Sequence, residues 1–176
     1  MAKKSKTVIK KYSEKVEPAN DYQLAEPAVA ISRGYDFGNI SILANASDRP
    51  ESHMTSFEKM NIVREGISKK DLELLKNKAD LDYTTLAKGL SVTRATLINK
   101  KREQKFGSVL SEKILGLADI YSYGFEVFGD EDRFNQWMAK PNQAIGGQVP
   151  YDLIDNQYGR EEIKNLIGRI AYGVYS

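Results

Sequence analysis

The chain has 176 residues, with 26 Lys or Arg, 24 Asp or Glu, a single His and no Cys. Without Cys there are no disulfides, thiolate metal sites or thiol nucleophiles, and His53 alone cannot form a His-rich metal site. No apolar run approaches the roughly 20 residues of a membrane helix, and no hydrophobic stretch follows the N-terminal Lys residues. We therefore expect a cytoplasmic protein without a metal, a cofactor or a membrane partner.

The net charge of +2 is the sum of two opposite regions. Residues 61–110 carry 11 basic and 6 acidic side chains, a net charge of +5, whereas residues 111–176 carry 6 and 10, a net charge of −4. The excess of base lies almost entirely in residues 88–105, which hold six bases and one acid. This asymmetry predicts different partners for the two regions.

The first 56 residues differ from the rest, with three Pro residues and only short apolar stretches such as Val29-Ala30-Ile31. We expect residues 1–56 to form an N-terminal extension that is either flexible or docked on the body or on a partner.

From Phe57 onward the apolar spacing is helical, and no strand pattern competes with it, so we predict an all-α body. Ser68 and Asp71 fit a capping box, and Asp82 and Thr93 are suitable N-caps for two short helices that meet at a turn over residues 89–92.

The last third predicts four further helices. A long one begins at a cap formed by Ser108 or Ser111 and ends at Gly129, where Asp130 caps the next. Pro150 begins a short helix, and Glu161 with Glu162 opens the last one.

The two short helices fit a helix-turn-helix. Ala87 is small where the helices cross, Val92 fills the gap between them, and Leu97 or Ile98 secures the second helix. Side chains suited to base edges and phosphates then face outward. These candidate DNA contacts are Thr93, Arg94, Thr96, Asn99, Lys100, Lys101, Arg102 and Lys105. The alternative is a helical bundle with a solvated basic face.

A resemblance to a known family lies in the acidic third. It rests on Trp137 and on four segments: Phe125-Glu126-Val127-Phe128-Gly129-Asp130, Pro141-Asn142-Gln143-Ala144-Ile145-Gly146-Gly147, Pro150-Tyr151-Asp152-Leu153-Ile154 and Ile163-Lys164-Asn165-Leu166-Ile167-Gly168-Arg169-Ile170-Ala171-Tyr172-Gly173-Val174-Tyr175-Ser176. This region resembles the toxin-binding domain of Xre/ParS-type antitoxins, a family in which a helix-turn-helix precedes that domain.

The resemblance implies a DNA-binding domain at 57–107 and a toxin-binding domain at 108–176, in a type II antitoxin without catalytic activity. Its implied partner is a RES-domain toxin that consumes NAD⁺, whose active site the last helix and the C-terminal tail would block. The helix-turn-helix would bind operator DNA as a homodimer and repress the operon. The implied toxin contacts are Asn142, Gly146, Gly147, Arg169, Tyr172, Gly173, Val174, Tyr175 and Ser176.

A second interpretation remains open at this point. The chain would then be a stand-alone helix-turn-helix transcriptional regulator, whose C-terminal domain dimerises or senses a small ligand.

Overall fold

The computed structural model describes residues 41–43 and 49–173. These residues are all-helical, as the sequence predicts, and two isolated bridges are the only β pairing among them. In this part of the chain no helix is both long and apolar enough to cross a membrane. The helices are α1 (Ser56–Glu65), α2 (Lys69–Lys78), α3 (Tyr83–Gly89), α4 (Arg94–Ile98), α5 (Ser108–Phe128), α6 (Glu131–Met138), α7 (Pro150–Leu153) and α8 (Gln157–Ala171), with 3₁₀ turns at Glu51–His53 and Gln143–Ile145.

The long helix α5 is the centre of the fold, and α1, α6, α8 and the first 3₁₀ turn all pack on it. The apolar stripe of α5 is buried and consists of Ile114, Leu117, Ala118, Tyr121 and Phe125. The predicted Ser cap is wrong: Gly107 occupies the N-cap position and makes no side-chain bond. The Ser111 hydroxyl is engaged elsewhere, since it accepts from the Ile67 amide (2.9 Å) and donates to the Phe106 carbonyl (3.2 Å).

The caps predicted for α2, α3 and α4 are confirmed. The side chains of Ser68, Asp82 and Thr93 each accept a backbone amide three residues further on, and Asp71 completes the capping box of α2. Between α3 and α4, Ser91 adopts a left-handed conformation with φ of 53°. The helix-turn-helix geometry therefore forms where the sequence places it.

The short helix α4 is followed by a segment that runs back along the beginning of α2. The Phe106 amide donates to the Ile67 carbonyl (2.8 Å), and the Lys70 amide donates to the Arg102 carbonyl (3.0 Å). An isolated antiparallel bridge joins Ser68 and Lys105. After α4 the chain therefore leaves the helix: residues 102–103 form a turn, and residues 104–106 are held against the beginning of α2.

The C-terminal core is built around Phe134, which is fully buried on α6. Its ring makes edge contacts with Tyr121 and Phe125 and stacks on Trp137 at a centroid distance of 5.6 Å. Gly124 makes room for it, because a Cβ at that position would lie 2.1 Å from the ring. Asp130 caps α6 as predicted, by accepting the Arg133 amide (2.7 Å).

The last helix begins earlier than the sequence predicts. Its N-cap is Asn156, which accepts the Gly159 amide (3.1 Å), so Glu161 and Glu162 lie inside the helix and do not open it. Gly159 makes this start possible, since a Cβ there would lie 1.6 Å from the Leu153 carbonyl oxygen.

Helix α8 runs parallel to α5, because residues further along α8 contact residues further along α5. Arg160 Nη2 donates to Glu112 Oε1 (3.0 Å), and one turn later Lys164 Nζ donates to Asp119 Oδ2 (2.7 Å). At Gly168, a Cβ would lie 3.5 Å from the Tyr123 hydroxyl. The C-terminal end of α8 therefore lies beside the C-terminal half of α5.

The helix-turn-helix also packs directly on α7, in addition to its covalent link through α5. The Tyr151 hydroxyl donates to the Thr85 carbonyl (3.2 Å), and a Cβ at Gly89 would lie 2.7 Å from that hydroxyl. On the surface, Lys88 Nζ donates to Asp152 Oδ1 (2.7 Å). These contacts fix α3 against the C-terminal half.

Part of the predicted N-terminal extension belongs to the body. Ile42 and Leu43 are buried in the same core as α5, and the 3₁₀ turn Glu51–His53 packs on that helix. Residues 1–40 and 44–48 lie outside the described residues, and the domain boundary at residue 56 stays a prediction.

Candidate functional site

The first candidate surface is the exposed edge of α4. Thr93, Arg94 and Thr96 are exposed around its first turn, and Asn99 is exposed as its C-cap. Leu97, in contrast, is fully buried and anchors the helix. The Thr93 and Thr96 hydroxyls are 2.8 Å apart, so one hydroxyl donates to the other. The structure therefore brings these four predicted contacts together on one small exposed helix.

The other four predicted DNA contacts lie on the segment that follows α4 and folds back on the beginning of α2. Lys100 Nζ lies 5.2 Å from the centroid of the Phe106 ring, and Lys101 is exposed. Within the described part of the chain, Arg102 and Lys105 make only long ion pairs, 3.9 Å to Glu73 and 4.0 Å to Glu65, with more than half of each cationic side chain exposed. Long, exposed pairs of this kind are weak, so these cations can exchange their partners for phosphate groups.

The second candidate surface is the C-terminal end of α8. Arg169 Nη2 donates to Glu162 Oε1 (3.1 Å), whereas Arg169 Nε is buried without an acceptor among the described residues. Tyr172 is 82% exposed, and Gly173 turns the chain with φ of 66°. Val174, Tyr175 and Ser176, the remaining predicted contacts at this end, lie outside the described residues.

The loop that contains Asn142, Gly146 and Gly147 forms a self-contained turn. The Asn142 side-chain oxygen accepts a hydrogen bond from the Ala144 backbone amide (2.9 Å). The Asn142 backbone amide donates to the Gln148 carbonyl (2.9 Å). Gly146 and Gly147 both have positive φ, a conformation that glycine adopts without strain. Within the described part of the chain, no hydrogen bond or ion pair joins this loop to residues 169–173. The structure therefore does not unite the two groups of predicted toxin contacts through a polar bond.

The sequence analysis missed Tyr123, which completes the surface at the end of α8. Its side chain lines a shallow groove together with Gly168, Arg169 and Tyr172. Partial burial raises the Tyr123 pKa, and the neighbouring Tyr172 and Glu126 raise it further. The sequence holds little signal for this role, because Tyr123 is one of many aromatic residues on α5 and only the parallel packing of α8 brings Gly168 beside it.

The buried charged groups of the C-terminal half are occupied by contacts within the fold. The Asp119 carboxylate accepts from Lys59 Nζ (2.9 Å) on α1 and from Lys164 Nζ on α8, and thus joins three helices. Among the described residues, no group of three or more His, Asp or Glu side chains could hold a metal ion.

Comparison with known proteins points to the same C-terminal region. Residues 124–173 match the Xre/MbcA/ParS C-terminal toxin-binding domain of antitoxins. An antitoxin Xre from Photorhabdus laumondii is 33% identical over 73 residues, which are 41% of this chain and 49% of that protein. A Prs ADP-ribosylating antitoxin from Sphingobium sp. is 25% identical over 130 residues, 68% of this chain and 81% of that protein. An antitoxin Xre from Yersinia enterocolitica is 28% identical over 100 residues, covering 56% and 65%.

The described residues form an all-helical fold whose C-terminal region matches the toxin-binding domain of a known antitoxin family. The chain is thus similar to Xre/ParS-type antitoxins in this region, which confirms the resemblance that the sequence motifs predicted. Its aligned part spans about half the length of the Photorhabdus relative.

Proposed function

We propose that this chain is the antitoxin of a type II toxin–antitoxin pair and acts by binding, without catalysis, in the cytoplasm. The observation that carries the proposal is the position of the matched toxin-binding domain, which ends at the exposed tip of α8. Tyr172 is available there for contact, and Gly173 lets the backbone turn away from the helix. The tip and the residues after it would then enter the partner's cleft.

The proposed partner is a RES-domain toxin that consumes NAD⁺. The family resemblance supports this, and so does the name of the Sphingobium relative, which refers to ADP-ribosylation, a reaction that uses NAD⁺ as the donor. Arg169 suits such a cleft, because a guanidinium binds the anionic groups for which a nucleotide site is built. Its Nε donor, which has no acceptor among the described residues, could be satisfied by a small shift on binding. Occlusion of the cleft by α8 and the tail would exclude NAD⁺.

Co-expression with the proposed RES-domain toxin tests the proposal. Deletion of residues 172–176 is expected to restore NAD⁺ loss in cells and to abolish co-purification. Deletion of residues 1–5, which lie outside the matched domain, is the control of equal length and is expected to change neither. Full neutralisation by the chain that lacks 172–176 would contradict the occlusion mechanism.

The helix-turn-helix is proposed to bind operator DNA and repress the operon. The excess of base at residues 88–105 supports this, and so do the weak, replaceable ion pairs of Arg102 and Lys105. A homodimer follows from the proposal, because a palindromic operator requires two such units one DNA turn apart.

Replacement of Arg94 and Asn99 by Ala is expected to remove sequence preference on the DNA upstream of the gene, because both side chains suit base edges. Replacement of Glu103, an exposed acid in the same segment, is the matched control and should preserve that preference. An unchanged footprint after the Arg94 and Asn99 changes would contradict the assignment.

A stand-alone regulator is the second candidate function. The direct packing of α7 on α3, with Tyr151 on Thr85 and Lys88 on Asp152, favours it, because a ligand of the C-terminal half could then shift the helix-turn-helix. A chain that represses its promoter normally without any neighbouring toxin gene would support this candidate.

A further inference from the structure

The surface at the tip of α8 continues across α5 to the 3₁₀ turn that precedes α1. Tyr123, which lines the groove beside Arg169 and Tyr172, is three residues from Glu126 on α5, so both lie on one face of that helix. Glu126 Oε2 in turn lies 3.0 Å from His53 Nε2. One continuous stripe therefore joins the tip of α8 to His53, a residue far from it in sequence.

His53 is held in place by contacts that do not involve its own ring. Glu51, fully buried, accepts from the Ser41 hydroxyl (2.5 Å) and from the amides of Ile42 (3.1 Å) and Leu43 (2.8 Å). The Ser52 amide donates to the Ser122 hydroxyl (3.3 Å) on α5. The 3₁₀ turn is thus fixed on both sides, and the His53 ring remains half exposed at the surface.

We propose that His53 and Glu126, together with Tyr123 and Tyr172, form a contact surface for the same protein partner that receives the tip of α8. The inference rests on the proposed antitoxin function and extends its interface beyond the matched domain, since Glu126 and Tyr172 lie within residues 124–173 and His53 does not. The partner chemistry is a Lys or Arg side chain facing Glu126, beside apolar surface facing the two Tyr rings.

Two features favour a protein partner here. A carboxylate at the centre of the stripe repels nucleic acid phosphates, whereas Tyr and His offer large contact area with polar tips, which protein interfaces favour. The His53–Glu126 pair also contributes little to folding, because both side chains are about half exposed and exposed ion pairs are weak. Its loss is therefore expected to change binding much more than stability.

The test measures the affinity of the full-length chain for the purified RES-domain toxin proposed as its partner, together with inhibition of NAD⁺ consumption. His53→Ala and Glu126→Ala are each expected to weaken binding about tenfold, the size of a moderate hot spot. Glu65→Ala is the control: that exposed carboxylate makes a long ion pair of 4.0 Å to Lys105, near the start of α5 and away from the stripe, and its loss should leave affinity for the partner unchanged. Melting temperature should be unchanged in all three variants, and DNA binding should be unchanged in His53→Ala and Glu126→Ala.

Affinities within twofold of the parent for both His53→Ala and Glu126→Ala would overturn the inference. The inference would also be overturned if His53→Ala lowered the melting temperature together with the affinity, and His53→Gln restored both. The loss of binding would then come from loss of folding. The deletion of residues 172–176 separates this outcome from failure of the proposed function. If that deletion abolishes binding while His53→Ala has no effect, only the contact surface is wrong; if the parent chain does not bind the RES-domain protein, both proposals fail.

Discussion

The two halves of the molecule use their charged side chains in opposite ways. In the C-terminal half, Arg160 and Lys164 on α8 pair with carboxylates of α5, and Asp119 is almost buried between two Lys side chains. After α3, in contrast, Arg94 and Lys101 are exposed, and Arg102 makes only a long ion pair. The same residue types therefore position helices in one half and remain available to a partner in the other.

This difference tells which cations a mutation can remove without loss of fold. A charged side chain that is buried must be paired with a hydrogen-bonding partner. Its removal leaves that partner without a hydrogen bond and leaves a cavity. Exposed cations lose only a weak interaction that salt already screens. Pairs of residues of the same type, one packed in the C-terminal half and one exposed, test this difference.

The largest effect is expected at Phe134. Its ring is fully buried among Tyr121, Phe125 and Trp137, so Phe134→Ala should leave a cavity and lower the free energy of unfolding by about 3–5 kcal/mol. The control Phe57→Ala removes a ring that is 77% exposed, and we expect a change within about 0.5 kcal/mol. Urea denaturation followed by circular dichroism measures both, and equal effects would contradict the assignment of the core.

Arg160 provides the next test. Its side chain is only 11% exposed and donates to Glu112 and, at 3.4 Å, to the Ile154 carbonyl. Replacement by Met keeps the apolar stem but removes these bonds, and we expect a loss of about 1.5–3 kcal/mol. Arg94→Met, at an exposed position, should leave stability nearly unchanged while it weakens DNA binding. If Arg94→Met destabilised the chain as much as Arg160→Met, the contrast between the two halves would be wrong.

Local signals in the sequence predicted much of the fold. Caps such as Ser68, Asp82 and Thr93 act on amides three residues away, so their chemistry is visible in a short window of sequence. The cap predicted for α5 was wrong because the Ser111 hydroxyl accepts from the amide of Ile67, a residue 44 positions away in sequence. The start predicted for α8 was wrong because Asn156 caps the helix by accepting the Gly159 amide, which places Glu161 beyond the first turn.

The candidate surfaces follow the same division. The exposed residues of α4 were predictable, since polarity and helical position suffice to place them outward. The non-helical course of residues 99–106 was not, because it depends on hydrogen bonds to the beginning of α2. His53 gave no signal either, since only the docking of the 3₁₀ turn on α5 brings it to Glu126.

A smaller effect is expected at the contact between α3 and α7. Tyr151→Phe removes one hydroxyl and leaves the Thr85 carbonyl without that donor, so stability should fall by about 0.5–1.5 kcal/mol. Tyr158→Phe, at an 82% exposed ring, is the control and should be neutral. Thermal denaturation monitored by circular dichroism decides, and a neutral Tyr151→Phe would mean that the packing of the ring against Gly89, and not the hydrogen bond, holds this contact.

The smallest effect is expected for the ion pair at the same contact. Lys88 Nζ lies 2.7 Å from Asp152 Oδ1, but the two side chains are 69% and 51% exposed. We therefore expect a coupling free energy of about 0–1 kcal/mol that decreases as salt is added. A double-mutant cycle with Lys88→Ala and Asp152→Ala measures it at low and high salt. A coupling well above 1 kcal/mol that resists salt would show that surface charge joins the helix-turn-helix to the C-terminal half. If the coupling is as weak as expected, the buried Tyr151 ring, packed beside Gly89, holds the helix-turn-helix on the C-terminal half. This apolar packing does not depend on salt, because it is insensitive to charge screening.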